Sequence, residues 1–299
     1  RGERVRLVTR SGSGPDHPGI ERRAADASDA AQLAALAAGA ATIFNCANPP
    51  YPKWDSAWPA LSSGVIAASE TSGARLVTMS NLYGYAADSS PMRATDELAP
   101  PTRKGAIRAA TWHDALAAHE AGRIEMTEVR ASDFIGPGVG ANGHVGDRFV
   151  PRVLAGKNVS VLGRADVPHS WSYVDDVVAT LVAVAHDDRA LGRAWHVPTG
   201  APLTAAQLAD EFATVADVVP VKVKTIPAAL LKVAGLVSPM MRELPEMLYQ
   251  FERPFVIDAT DTTETFGIVP TPLVEQLRAT IASYRSPGRE TAPVRHVAA

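Results

Sequence analysis

Two cationic side chains, Lys104 and Arg108, stand four residues apart in the stretch PPTRKGAIRAATW. Residues at this spacing share one face of a helix, where two like charges cost roughly 0.2–0.5 kcal/mol. Helix propensity therefore gives no reason for the pair. A lysine can donate a proton to a developing alkoxide, whereas two solvated cations, or two cations that bind a cofactor phosphate, need no catalytic role. The residues alone leave both interpretations open.

The sequence does not support a metal site or a reactive cysteine. His17, His144 and His169 have no metal-ligand spacing with one another or with Cys46, the single cysteine. No activating base stands near Cys46 in the sequence, so a nucleophilic thiol is not favoured. We therefore predict no metal.

The composition excludes several classes of function. Of the 299 residues, 46% are hydrophobic and 20% are charged, and the net charge of -3 gives no electrostatic reason to bind nucleic acid or an anionic membrane. A single cysteine excludes an internal disulfide and favours a reducing compartment. No apolar run is long enough to span a bilayer, and no signal-peptide pattern occurs. We predict a cytoplasmic protein whose partner is a small molecule.

The elements that must position the two cations alternate between strands and helices. Apolar runs at Val5–Thr9, Ala41–Ala47, Arg75–Ser80 and Glu125–Ala131 predict strands, and the stretches between them carry helix-capping signals. Polar residues follow the strand ends, which is typical of a doubly wound parallel sheet with its ligand beyond the carboxyl ends of the strands. From about Val139 the alternation becomes less regular.

These patterns predict an α/β fold of three parts. Residues 1–138 are expected to form a Rossmann-like, dinucleotide-binding domain. Residues 139–285 are expected to form mainly a smaller α+β substrate domain, with some segments returning to the sheet. Residues 286–299 contain Pro, Gly and mixed charge without apolar periodicity, and predict a flexible tail.

Four segments resemble, in the correct order, motifs of the extended short-chain dehydrogenase/reductase family of the NAD-dependent epimerase/dehydratase type. RLVTMSNLYGY resembles the family's strand and S-S-x-x-x-Y-G turn, and VRASDFIGPG is similar to R-P-x-x-V-Y-G-P-G. HSWSYVDDVVATLV resembles the Y-V-D-D-V-A helix start, and PFVIDATDTTETFGIVPTPLVEQL resembles the closing D-x-x-x-x-x-x-L-G-x-x-P element. The resemblance covers about residues 3–285 and is more informative about fold than about chemistry.

The resemblance also implies a first strand and a turn of the G-x-x-G-x-x-G type, neither of which is found in this chain. We therefore expect an atypical member, a Rossmann-like sheet without its first strand and Gly-rich loop, in a chain that starts too late. Gly12 and Gly14 follow the next strand. For them an ordinary loop is favoured over a pyrophosphate cradle.

The expected cofactor is NADP, with NAD as the alternative. The resemblance places Arg10 at the strand end that contacts the adenosine ribose, where an arginine accommodates a 2′-phosphate and an acid binds the 2′-hydroxyl. No acid occupies positions 9–11, although a solvated arginine also fits. The resemblance implies further cofactor contacts at Thr9, Asp26, Ala27, Asn45, Cys46, Ala47, Met79, Ser132 and Asp133.

The catalytic motif of the family is degenerate here. The family uses a Ser or Thr at a strand end together with Tyr-x-x-x-Lys on a helix, and aligning the tyrosine of its turn with Tyr83 places Met79, Lys104 and Arg108 at those positions. Hydroxyl groups one residue away or in the loop remain as substitutes. The candidate catalytic residues are Lys104, Arg108, Ser80 and Tyr83.

Substrate contacts are expected from the loop after the third predicted strand run and from the second half of the chain. The candidates are Tyr85, Phe134, His144, Arg148, His169 and Trp171. Structural histidines and core aromatics are the alternatives. The alanine-rich helix that carries Trp112 permits a homodimer.

Two functions remain open. The first is an NAD(P)-dependent, NADP-preferring oxidoreductase or epimerase acting on a small carbonyl or hydroxyl compound or a sugar nucleotide. The second is a non-catalytic NADP-sensing regulator or pseudo-enzyme on the same fold. The lost catalytic trio favours the second, and the elaborate second half of the chain, which implies a pocket, favours the first.

Overall fold

The computed structural model describes residues 2–285, and the predicted tail at 286–299 lies outside the described residues. The strands are Val5–Thr9 (β1), Ile20–Ala24 (β2), Thr42–Asn45 (β3), Arg75–Ser80 (β4), Met92–Arg93 (β5), Met126–Arg130 (β6), Asp133–Ile135 (β7), Val159–Leu162 (β8), Trp171–Tyr173 (β9), Ala194–His196 (β10), Val223–Ile226 (β11) and Ile257–Asp258 (β12). The helices are Ala30–Ala37 (α1), Trp54–Ser72 (α2), Arg103–Glu120 (α3), Val150–Leu154 (α4), Val174–Ala185 (α5), Ala205–Ala216 (α6), Ala228–Ala234 (α7), Pro239–Glu243 (α8), Tyr249–Glu252 (α9), Thr260–Phe266 (α10) and Leu273–Arg285 (α11).

A parallel sheet with helices between its strands confirms the predicted Rossmann-like α/β fold. The main sheet has the strand order β10-β6-β4-β3, and β4 pairs in parallel with both β3 and β6. β1 and β2 form a separate parallel pair. Strands β6 and β10 are buried at every residue and β4 is buried in part, whereas β2 and β3 are largely exposed or half-buried. Parallel neighbours place their carboxyl ends at one edge, where candidate residues collect.

Local signals in the sequence explain where the helices of this sheet begin and end. The Asp29 carboxylate accepts a hydrogen bond from the Gln32 backbone N–H at the start of α1, and the Thr102 hydroxyl does the same for Gly105 in α3. Such side chains satisfy N–H groups that the helix itself leaves unpaired. α2 ends at Gly73, whose φ of 70° is a left-handed conformation that glycine adopts without strain.

The chain divides into two compact units. The first comprises the described residues up to 86, 95–130 and 181–195, and the second comprises 87–94, 131–180 and the described residues from 196 onward. The core of the first is formed mainly by α2, α3 and the strands β4 and β6, around Trp54, Trp58 and Trp112. The core of the second is formed by residues of α4, α6, α11 and their neighbouring strands, around Phe149 and Phe212.

Two absences hold for the part of the chain that the structure describes. None of its helices combines the length and hydropathy of a membrane span. No group of three or more His, Cys, Asp or Glu side chains there is arranged to hold a metal ion.

Candidate functional site

Lys104 and Arg108 lie on the buried face of α3 in the first unit. The Lys104 residue is 0% exposed and Arg108 is 6% exposed, so the pair is not a solvated surface feature. Thr102 fixes the start of the helix and thereby the direction of both side chains. Two cations buried on one helix face need compensation from their surroundings, because burial of an unpaired charge is costly.

Aromatic rings provide part of that compensation. The Lys104 Nζ lies 5.3 Å from the ring centroid of Tyr51, and the guanidinium carbon of Arg108 lies 4.4 Å from that of Trp58. At such distances the negative face of the ring attracts a cation. Arg108 Nη2 also donates a hydrogen bond of 3.0 Å to the Met79 carbonyl, while its Nε has no hydrogen-bond partner among the described residues. Burial lowers the pKa of Arg108.

Two tyrosine hydroxyls meet beside these cations. The oxygens of Tyr51 and Tyr83 are 2.6 Å apart, and the rings of both residues are half-buried. We call Lys104, Arg108, Tyr51, Tyr83 and Trp58 the cation–aromatic cluster. Tyr83 was a candidate from the sequence, but Tyr51 was missed, because it belongs to no motif and precedes Tyr83 by 32 residues.

Two further predicted residues, Met79 and Ser80, stand at the carboxyl end of β4. Ser80 is the last residue of β4 and is 6% exposed. Met79 is half-buried and takes part through its backbone carbonyl, which accepts the bond from Arg108. The sequence predicted a catalytic role for Ser80 and a cofactor contact for Met79, and both stay predictions.

The prediction that Tyr85 contacts substrate is corrected by its burial. Its ring is 1% exposed, and its hydroxyl accepts a hydrogen bond of 2.6 Å from Arg130, which also donates to Glu128 at 2.7 Å. Burial raises the pKa of Tyr85 to about 12. The guanidinium carbon of Arg130 lies 4.9 Å from the ring centroid of Trp112. Tyr85 therefore belongs to a buried polar network of the interior.

The predicted adenosine end of the site lies after β1. Arg10 is exposed, and Thr9 donates from its hydroxyl to the Ser13 carbonyl at 2.9 Å. Hydrogen bonds from Ser28 lower the pKa of Asp26, and the charge of Arg10 adds to this lowering. An exposed guanidinium beside hydroxyl-bearing residues is a donor set that suits a phosphate monoester.

Each glycine after β1 has a local structural reason. A Cβ at Gly14 would stand 2.2 Å from Leu7 Cδ2, so the missing side chain lets the loop lie on β1. Gly12 has a φ of 68°, a left-handed conformation that favours glycine, and a Cβ there would make only an ordinary contact with Ala24 at 3.4 Å. Among the described residues, Arg10 is an exposed cationic donor beside this loop, whereas Gly12 and Gly14 do not form a cradle for a pyrophosphate.

The remaining predicted cofactor residues of the first unit precede α2 in the sequence. The Asn45 side chain is 8% exposed and accepts from the Ala47 N–H at 3.3 Å. Ala27 lies so close to α2 that its carbonyl would be 2.7 Å from a Cβ at Gly64. Cys46 is exposed, and partial desolvation raises the pKa of its thiol, so the structure gives no sign of a stabilised thiolate.

A second cluster lies in the second unit, around Asp133. The His169 Nε2 is 2.8 Å from an Asp133 carboxylate oxygen and 3.3 Å from the Ser132 hydroxyl, and the His144 Nε2 is 3.9 Å from Asp133. Burial alone would raise the pKa of Asp133, but His144 and the hydrogen bond from His169 outweigh it and lower that pKa. We call Asp133, His169, His144 and Ser132 the histidine–aspartate cluster.

This arrangement brings together residues for which different roles were predicted. Ser132 and Asp133 were expected at the cofactor, whereas His144 and His169 were expected at the substrate. Asp133 must accept from His169, so His169 Nε2 carries the hydrogen. Its Nδ1 is buried and has no hydrogen-bond partner within residues 2–285.

The histidines line a pocket with apolar walls. Its lining residues are His144, Val145, Phe149, Val161, Leu162, Arg164, Val167, His169, Trp171, Ala205 and Phe251. The predicted candidates His144, His169 and Trp171 thus share one pocket. Arg148 and Phe134 are exposed and do not line it. Arg164, which the sequence reasoning missed, does, and both of its bonds to Asp166 are 2.9 Å long.

Comparison with protein families identifies one match. The model of the NAD dependent epimerase/dehydratase family matches residues 1–197. No curated protein sequence matches the chain.

Solved structures with the same fold are numerous but distant in sequence. The UDP-glucose 4-epimerase of Thermotoga maritima, solved with UDP-glucose, is 19% identical, with 94% of this chain and 91% of that chain covered and a TM-score of 0.74. An epimerase of Methanothermobacter thermautotrophicus is 17% identical, with 94% and 84% covered and a TM-score of 0.76. The dTDP-glucose 4,6-dehydratase of Bacillus anthracis, in complex with NAD, is 18% identical, with 90% and 80% covered and a TM-score of 0.71. At these identities the likeness establishes the fold.

Proposed function

The chain belongs to the NAD-dependent epimerase/dehydratase family, and we propose that it is an NADP-preferring oxidoreductase or epimerase of that family. Its substrate is a small carbonyl or hydroxyl compound or a sugar nucleotide. The first unit binds the cofactor, and the second unit contributes substrate contacts through the pocket lined by His144, His169 and Trp171. When bound, the cofactor supplies or accepts hydride.

One observation carries the proposal that proton chemistry survives the loss of the usual motif. At the positions of the family's tyrosine and lysine, two buried cations adjoin two half-buried tyrosines whose hydroxyl oxygens are 2.6 Å apart. A hydroxyl next to buried positive charge can release a proton and hold the resulting negative charge. The cations Lys104 and Arg108 thus stabilise charge, while a loop tyrosine remains accessible.

The NADP preference is supported by the exposed Arg10 at the end of β1. Replacing Arg10 with alanine should weaken NADPH binding by about tenfold, since a hydrogen bond to a charged group contributes about 1.5 kcal/mol. NADH binding should be unchanged, because NADH has no 2′-phosphate. Both affinities are measured by titration of the nicotinamide fluorescence.

Arg4→Ala is the matched control for that titration. Arg4 is an exposed arginine that precedes β1 and should leave both affinities unchanged. Equal affinities for NADPH and NADH in the wild-type protein would contradict the preference. An equal loss in Arg4→Ala would show that Arg10 acts only through general charge.

A non-catalytic NADP-sensing regulator is the second candidate, favoured by the complete burial of Lys104. A lysine with no exposed surface does not touch a substrate in this conformation. This candidate predicts NADPH binding without turnover of any carbonyl substrate, whereas the oxidoreductase predicts NADPH consumption in the presence of at least one. The two are separated by following NADPH absorbance with a panel of aldehydes, ketones and nucleotide sugars.

A further inference from the structure

The tyrosine pair combines access from outside with positive charge behind it. The Tyr51 and Tyr83 oxygens are 2.6 Å apart, toward the short end of the normal range for a hydrogen bond between hydroxyls. Both residues are half-buried, so each keeps some exposed surface. Lys104, next to the Tyr51 ring, is completely buried. A phenol in such a place can exchange a proton with a substrate while the cation stays out of contact with it.

Packing holds the two hydroxyls together. Trp54, which is 1% exposed, contacts Tyr51 edge-on at 5.1 Å and lies 6.2 Å from the Tyr83 ring. In addition, α3 approaches the Tyr83 backbone so closely that a Cβ at Gly105 would stand 2.2 Å from the Tyr83 carbonyl oxygen. The pair is therefore fixed by a buried indole and by a helix that has no side chain at the point of contact.

Arg108 interacts electrostatically with both hydroxyls. Burial lowers the pKa of Arg108. The negative charge of Glu128 opposes this lowering, and a negative charge on Tyr83 or Tyr51 would oppose it too. Such an interaction is mutual, because a negative charge that favours the guanidinium is itself favoured by it. Arg108 therefore stabilises a negative oxygen on either tyrosine.

Tyr173 and Tyr284, in the second unit, have surroundings of the opposite kind. Desolvation together with Asp175 raises the pKa of Tyr173 to about 12. Tyr85, in the first unit, lies beside the cation Arg130, but its deeper burial outweighs that charge and raises its pKa to about 12. Desolvation and a hydrogen bond to Asp147 raise the pKa of Tyr284. In the second unit, carboxylates thus oppose ionisation of Tyr173 and Tyr284, whereas two cations accompany the pair in the first unit.

We propose that Tyr51 and Tyr83 are the catalytic proton-transferring pair of this protein, with Lys104 as the positioning residue that stabilises the deprotonated pair. This inference rests on the proposed oxidoreductase function and assigns its proton step to residues outside the family motif. A tyrosine and a lysine are again adjacent, but the tyrosine comes from the turn before α2 and the lysine occupies the motif position of the tyrosine.

The step is a proton transfer without exchange of electrons. The O–H bond of one tyrosine breaks, a new O–H bond forms at the alkoxide oxygen of the substrate, and the electron pair stays on the phenolate. The neighbouring hydroxyl donates its hydrogen bond to that phenolate, and water returns the proton afterwards. In the opposite direction the phenolate removes the proton from a substrate hydroxyl.

The first test needs neither substrate nor cofactor. Protein labelled with ¹³C at the hydroxyl-bearing carbon of its 6 tyrosines is titrated by NMR, and Tyr51→Phe and Tyr83→Phe identify the two resonances of the pair. In Lys104→Met the pair should ionise at higher pH than in the wild type, because the nearby cation is gone. The Tyr284 resonance, from the second unit, should not move.

A second variant keeps this test decisive if Lys104→Met does not fold. Tyr83→Phe removes only one hydroxyl, and the Tyr51 resonance should then also ionise at higher pH, because its phenolate loses a hydrogen-bond donor. Far-UV circular dichroism checks the fold of each variant. Unchanged ionisation of Tyr51 in Tyr83→Phe, or of both tyrosines in a folded Lys104→Met, would overturn the proposal.

The second test measures turnover with NADPH and the carbonyl panel. Tyr51→Phe should lower kcat by about 10²- to 10⁴-fold, the usual contribution of general acid–base catalysis, with NADPH affinity within about twofold of wild type. Tyr284→Phe is the matched control and should keep full activity. Full activity in both Tyr51→Phe and Tyr83→Phe would refute the catalytic role of the pair but leave the proposed function standing. Wild-type protein that binds NADPH but turns over nothing would refute the proposed function and the proton step with it.

Discussion

The two units bury ionisable groups in opposite ways. In the first unit three cations, Lys104, Arg108 and Arg130, are each at most 6% exposed, and Glu128 is the buried carboxylate that faces the two arginines. Rings of tyrosine and tryptophan lie next to each of these cations. Arginine stays charged at every physiological pH. The first unit thus maintains a fixed positive field around its tyrosines.

In the second unit one carboxylate, Asp133, is shared by two histidines. Histidine changes its charge between about pH 5 and pH 8, so the field of this cluster depends on pH. The difference suggests separate tasks. A fixed field is suited to stabilise an anion that forms during a reaction, and a hydrogen-bonded carboxylate with a histidine is suited to orient a ligand in the pocket beside it.

The largest effect expected from this comparison follows from breaking the buried ion pair of the first unit. Glu128 and Arg130 are each 3% exposed and 2.7 Å apart. Glu128→Gln should lower the free energy of unfolding by about 3–5 kcal/mol, because Arg130 then remains buried without its counter-charge. Urea denaturation followed by tryptophan fluorescence measures the change.

A surface pair of the same unit is the control for that variant. Glu70 and Arg123 are 2.9 Å apart, but their side chains are 43% and 48% exposed. Glu70→Gln should cost at most about 1 kcal/mol. Similar losses in Glu70→Gln and Glu128→Gln would show that burial does not determine the cost, and the contrast between fixed and titrating clusters would lose its basis.

A smaller effect is expected when the contact between α3 and the tyrosine loop is overpacked. Gly105→Ala would place a Cβ 2.2 Å from the backbone oxygen of Tyr83, and relief of this overlap should cost about 1–3 kcal/mol. Because the backbone must move, the Tyr51 and Tyr83 hydroxyls should separate. Turnover should therefore fall even under conditions in which the variant stays folded. Urea denaturation and the NADPH assay measure the two effects.

Gly84→Ala, in the same loop, provides the matched comparison. Its Cβ would stand 3.2 Å from the end of the flexible Leu98 side chain, which can rotate away. We expect little loss of stability or turnover. If Gly84→Ala were as damaging as Gly105→Ala, the loop would be sensitive to any added methyl group, and the close helix contact would not be what fixes Tyr83.

The sequence predicted the elements better than the contacts between them. The capping signals in the sequence match the starts of α1 at Asp29 and of α3 at Thr102, and the Lys104–Arg108 spacing marked the right helix face. Tyr51 could not be found in this way, because its hydrogen bond to Tyr83 spans 32 residues. A contact of that kind depends on the packing of whole elements, which no local pattern encodes.

Neighbouring candidates in one loop show the same limit at shorter range. Tyr83 and Tyr85 stand two residues apart, yet one is half-buried beside Tyr51 and the other is 1% exposed beside Arg130. The motif placed both tyrosines near the site but did not distinguish their directions. In the second unit the pocket includes Arg164 and not Arg148, and both arginines stand in polar loop sequence.

The smallest effect concerns the pH response of the second unit. Burial lowers the pKa of His144 below its ordinary value of 6.5, with His169 adding to the shift and Asp133 opposing it. As the pH falls below about 6.5, the unfolded chain therefore binds a proton at this residue before the folded chain does. Stability must decrease with falling pH in this window. The effect should be small, because the side chain is still 32% exposed and water partly solvates the charged form.

His144→Gln removes this titration, so its stability should decrease less than that of the wild type between pH 6.5 and about pH 5.5. His113→Gln, at an exposed histidine of α3, should retain the full wild-type decrease. The lowered pKa of Asp133 adds a loss only at pH values below its ordinary 3.8, so the two contributions are separated in pH. The free energy of unfolding of each protein is measured by urea denaturation at pH 6.5 and at about pH 5.5. Parallel curves for wild type and His144→Gln would mean that the second cluster does not titrate in this window, and that its field is as fixed as that of the first.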